Sequence, residues 1–158
     1  MRFGIGVLCV FAAIWGVAGV LVDKMPAAWM ALPIAVSLAV LAYALRRPDS
    51  RTEPRPHVGR LVGIWSGIEG VAMFVAANVL IATHHREALM PAFAIIVGAH
   101  FLPLARGIPV RLYYLTGAAL VAVGIAGLLA PLQVPLFVGA SAAVILWASA
   151  IALARGAA

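Results

Sequence analysis

Charge is what this chain has least of. Of its 158 residues, 10% are Asp, Glu, Lys or Arg and 65% are hydrophobic. Soluble domains are typically about a quarter charged and about half apolar. With a mean hydropathy of +1.12, a water-soluble fold could not cover so much apolar surface, and the expected solvent is lipid. Acids are the scarcer sign, 5 against 11 basic residues, giving a net charge of +6 and a pI near 10.8. In a soluble protein that balance would suggest nucleic acid. Here no nucleic-acid partner is expected, because membrane threading accounts for the charge. The single cysteine, Cys9, excludes an intramolecular disulfide and leaves the redox compartment open. In its apolar run it reads as a small buried hydrophobe. No GxSxG, P-loop, HExxH or CxxC pattern occurs, so serine hydrolysis, nucleotide hydrolysis and thiol redox chemistry lack support. No cofactor is expected.

What is present is a series of long apolar runs. About 20 such residues span the hydrocarbon core as a helix. The runs cover residues 3–22, 27–45, 61–83, 88–105, 112–130 and 135–154. The expected fold is an all-α integral membrane protein, one transmembrane domain of about six helices arranged as three helical hairpins. The first run follows Met1-Arg2 as a signal peptide would. It is too long for one, however, and ends in "VLVDK" rather than a small-residue cleavage site, so it reads as a retained helix. The last boundary, "APLQVP", carries two prolines and no charge, which leaves a five-helix alternative open. Residues 46–60, "RRPDSRTEPRPHVGR", read as a solvated cytoplasmic loop.

Lys and Arg concentrate in cytoplasmic loops. With six helices and the N-terminus inside, Arg2, Arg46, Arg47, Arg51, Arg55, Arg60, Arg106, Arg111 and Arg155 share the cytoplasmic side. Only Lys24 and Arg86 lie opposite. The expectation is a multi-pass inner-membrane protein with both termini cytoplasmic. An internal repeat is also legible: "GIGVLCVFAAIWGVAGVLV", "GIWSGIEGVAMFVAANVLI" and "GAALVAVGIAGLLAP" each open a Gly-led helix of one expected hairpin. Low complexity makes chance similarity the competing explanation. Gly63 with Gly67, and Ser66 with Gly70, are small-xxx-small pairs that permit close helix approach in lipid.

One run contains an ionisable residue. Glu69, in "LVGIWSGIEGVAMFVAANVL", is the sole acid inside an expected span, where a charge costs roughly 2.5–3.5 kcal/mol on insertion scales. Such residues face the bundle interior or a water-filled cavity. Trp65, Glu69, Met73 and Ala76 share one helical sector, with Ser66 on its flank. Asn78 lies half a turn out of phase and reads as a helix–helix hydrogen-bonding residue. His100, in "IIVGAHFLPLARG", is the expected partner of Glu69. Counting inward from Arg60 and Arg106 at about 1.5 Å per residue places the two about 13–14 Å and 9 Å from one boundary. Three residues on, Pro103 removes a helical hydrogen bond.

The remaining polar features have structural readings. His84, His85 and Glu87 form a solvated turn rather than a metal site, and no metal ligand set is expected. Arg111, Tyr113 and Tyr114, with Trp15, Trp29 and Trp147, read as headgroup-level anchors. Three functions remain. The leading one is a proton-coupled transporter or channel for a small solute, with Glu69 binding the proton, His100 as relay, and Trp65 and Ser66 in the wall. The second is an intramembrane enzyme acting on a lipid or isoprenoid, with Glu69 as general acid. The third is a non-catalytic accessory subunit with Glu69 and Asn78 as packing groups. The chain's small size makes a homodimer an expectation as well.

Overall fold

The computed structural model describes residues 2–47, 56–108, 110–130 and 135–156. They form α1 (Arg2–Val22), α2 (Ala31–Leu45), α3 (Pro56–Ala82), α4 (Leu89–Gly107), α5 (Leu112–Leu129) and α6 (Pro135–Ala154). A 3-10 turn, Ala27–Met30, leads into α2, and another, Arg86–Ala88, leads into α4. No strand occurs among the described residues. Each helix, α2 and α4 taken with their 3-10 turns, is long and apolar enough to cross a bilayer. The region from 112 to 154 is therefore two helices, and the five-helix alternative falls away.

Prolines set several boundaries. The residue before a proline is pushed out of the α region. Ile108, before Pro109, has φ −113° and ψ 118° and ends α4. Ala130, before Pro131, has ψ 131° and ends α5. In contrast, α4 continues through Pro103 to Gly107. The expected loop 46–60 needs correction at its far end, because α3 already begins at Pro56. Proline suits the first turn of a helix, where its missing N–H leaves no bond unmade. Arg51 and Arg55 lie outside the described residues, as do positions 131–134 of the "APLQVP" break.

Two turns are built alike. After α1, the N–H groups of Asp23, Lys24 and Met25 donate to the carbonyls of Gly19, Leu21 and Val20. After α3, those of Thr83, His84 and His85 donate to Val79, Ile81 and Leu80 in the same order. Lys24 and His84 occupy the left-handed region, at φ 55° and 62°. This is the Schellman arrangement, in which the N–H of a left-handed residue and that of the residue after it reach back to orphan carbonyls. A 3-10 turn follows in both cases. The same turn thus closes α1 and α3.

The helices group into two compact units, α1, α2 and α6 in one and α3, α4 and α5 in the other. In the first, α1 packs extensively against α6 and also against α2; in the second, α4 packs extensively against α5 and also against α3. The partners in the third expected hairpin, α5 and α6, thus belong to different units.

Glycine brings the tight pairs together. A Cβ on Gly98 of α4 would lie 2.7 Å from the Gly117 carbonyl oxygen of α5, and one on Gly117 would lie 2.6 Å from the Gly98 oxygen. Gly139 of α6 meets the Trp15 oxygen of α1 in the same way, at 2.6 Å. Backbone contact of this kind maximises dispersion in lipid, where the hydrophobic effect between helices is absent. The expectation for Gly63 and Gly67 is corrected: a Cβ at either, or at Gly70, would meet no atom within 4 Å. A small-xxx-small pattern marks a face that permits approach, and α4 packs on a different face of α3.

Two tryptophans also depart from the anchor reading. Trp15 is in the core. Trp147 donates from Nε1 to Ser37 Oγ at 2.9 Å, linking α6 to α2. A buried indole N–H needs such an acceptor. Trp29 stays exposed.

Candidate functional site

The site lies within the second unit, between α3 and α4. Helix α3 has no fully buried residue from Val58 to Ala82. One stripe is nevertheless half-buried: Trp65, Glu69, Met73 and Ala76. Ile64, Ile68, Val71 and Phe74 are exposed beside it. The stripe is the sector expected from a period of 3.6, and it carries Glu69 towards α4.

Glu69 Oε2 lies 3.5 Å from Nδ1 of His100, and the two side chains are only 12% and 10% exposed. The α3–α4 turn makes the helices antiparallel neighbours, so residues 31 positions apart in sequence meet at similar depth. The distance is that of an ion pair, but the geometry falls short of a hydrogen bond: Nδ1 is buried with no hydrogen-bond partner. The backbone carbonyl of Trp65, one turn before Glu69, is an acceptor within reach of the same ring. The ring of His100 also stands edge-on to Phe101, at a centroid distance of 6.0 Å. Phe101 in turn packs against Tyr113 of α5 at 5.6 Å.

Chemically the pair is a two-base site. As carboxylic acid with imidazole, or as carboxylate with imidazolium, it carries no net charge. Loss of one proton leaves a single negative charge. Of these forms, the two neutral ones suit an apolar surrounding, since an unpaired charge loses its hydration there. An imidazole can take or give a proton at either nitrogen.

Comparison with protein-family models, curated proteins and solved structures finds no match. The site therefore stands on its own geometry.

Of the five residues expected at the site, Glu69, His100 and Trp65 converge. Trp65 lies one turn before Glu69 on the same half-buried stripe. Ser66 is exposed and lines no wall with Glu69. Asn78 is exposed too, and its Nδ2 donates to the Phe74 carbonyl at 2.7 Å within α3. Among the described residues its side-chain bond is thus local, to an i−4 carbonyl, and not to a neighbouring helix. At the α3–α4 turn, His85 Nδ1 lies 3.2 Å from Glu87 Oε1, both well exposed. His84 supplies the left-handed turn residue. An open apolar groove between α1 and α2, lined by Ile14, Val17, Leu21 and Ile34 among others, contains no member of the Glu69 site.

Proposed function

We propose that the chain is an integral inner-membrane protein with both termini in the cytoplasm, and that Glu69 and His100 form the proton-binding element of a proton-coupled transporter or channel for a small solute. The observation that carries the site is the buried 3.5 Å contact between carboxylate and imidazole. Ionisable residues within membrane spans mark ion and substrate pathways, and transporter sites gather near the midplane. The membrane reading is supported by outward-facing Phe3, Phe74, Leu115 and Leu129, all strongly exposed, which suit lipid and not water. The orientation is supported by the arginine bias.

The test is reconstitution into liposomes containing a pH-sensitive dye, challenged with a panel of small solutes. Solute-dependent proton flux is expected from the wild type. It should fall at least about tenfold in Glu69→Gln, which removes the titrating group while keeping the shape. Flux that survives Glu69→Gln, or no flux with any solute, would refute the reading.

A further inference from the structure

One end of the first unit gathers basic side chains from three helices. Arg47, two residues past α2, donates from Nη2 to Tyr43 Oη at 2.6 Å. Arg155, directly after α6, donates from Nε to the same oxygen at 3.4 Å. Arg2, opening α1, donates from Nη2 to the Arg47 carbonyl at 3.1 Å. The Arg47 guanidinium also lies 4.9 Å from the centre of the Tyr43 ring. The described acid of this unit, Asp23, follows the other end of α1. A 21-residue helix puts about 30 Å between the two ends.

Like charges in water spread apart, and orientation alone asks only that arginines lie on one side. Here two guanidinium groups instead converge on one phenol oxygen, which brings their bonding nitrogens within about 6 Å of each other. A phenol oxygen has two lone pairs and one proton. Both lone pairs of Tyr43 face arginine donors, so its O–H is left to donate. Each guanidinium offers five N–H groups in a fixed fork and commits one of them to Tyr43. Arg47, Arg155 and the Tyr43 hydroxyl thus present several donors around one point, with no carboxylate to neutralise them among the described residues of that end. Such a set is complementary to a tetrahedral oxyanion.

We propose that Tyr43, Arg47 and Arg155 bind a phosphate oxyanion, presented either by an anionic phospholipid headgroup or by free phosphate. On the membrane reading this end lies at the depth of the headgroups, where basic pockets between helix ends hold anionic lipids. The site is independent of Glu69 and His100. Carbonate extraction of membranes tests the membrane reading separately, so failure of one leaves the other measurable.

The experiment is native mass spectrometry of the purified full chain in detergent, with phosphatidylglycerol or phosphatidylcholine added. The wild type should retain phosphatidylglycerol in preference. Arg47→Gln with Arg155→Gln should lower that retention by about 10- to 30-fold, the factor expected for two arginine contacts. Arg46→Gln removes one charge from the same end, against two in the double variant, without touching Tyr43, and should retain the lipid as the wild type does. Tyr43→Phe tests the hydroxyl donor without altering charge and should weaken retention. Circular dichroism and elution volume check that each variant is folded. Inorganic phosphate added at millimolar concentration distinguishes the sources. Retained lipid assigns the site to the headgroup, while displacement that depends on Arg47 and Arg155 assigns it to free phosphate. Equal retention of the two lipids without arginine-dependent phosphate binding would overturn the proposal. So would a loss in Arg46→Gln as large as in the double variant.

Discussion

Replacing Glu69 by methionine, a side chain of similar length without polar oxygen, would isolate what the carboxyl does for its neighbour. The substitution leaves an imidazole nine-tenths buried, its Nδ1 already without a hydrogen bond, facing a thioether in place of a carboxyl, at a cost of about 1 kcal/mol, the low end for a buried polar group. His100→Met leaves the Glu69 carboxyl in the same position, at a similar cost. In the double variant neither polar group remains, and apolar side chains of similar volume in place of a buried pair are often neutral. The double should therefore be more stable than the sum of the singles implies. Contacting residues couple by about 0.5–3 kcal/mol. The 3.5 Å separation without a hydrogen bond places this pair near the lower end, at about 1 kcal/mol. The assay is unfolding of all four proteins by SDS titration in mixed micelles, followed by tryptophan fluorescence, with Trp65 beside the pair as one reporter. Additivity within about 0.3–0.5 kcal/mol would show that the two residues do not interact, and the proton-sharing site would fall with it.

Two further outcomes follow from topology and packing. Reporter fusions after Arg47 and after Arg155 should both read cytoplasmic and one at His85 should read external; the reverse pattern at Arg47 and His85 would overturn the threading. Gly98→Ala drives a methyl group into the Gly117 carbonyl and should destabilise by about 1–3 kcal/mol. Gly63→Ala meets open space and should be neutral, or stabilising by up to about 1 kcal/mol. Equal losses in the two would mean that another chain covers α3 at Gly63.

Helix number was legible in the chain because the apolar runs have the length that lipid would require. A span needs about 20 apolar residues whatever it packs against, and charges collect where it ends. The buried face of α3 was legible for a related reason, since a period of 3.6 places Trp65, Glu69, Met73 and Ala76 together without reference to any neighbour. The pairing of Glu69 with His100 needed one thing more, a short turn that makes α3 and α4 antiparallel neighbours, and "HHRE" supplied it. Tertiary structure alone decided which glycines touch. Gly63 and Gly98 stand in similar apolar contexts, yet the first meets nothing and the second meets a backbone. Helices that are apolar all round carry no stripe to announce their partners, which is why Trp147 reaching Ser37 across 110 positions could not be read from spacing. The same holds for the convergence of Arg47 and Arg155 on Tyr43. A positive-inside count puts both arginines on one side, but only the packing of α1, α2 and α6 on one another brings them to a single oxygen.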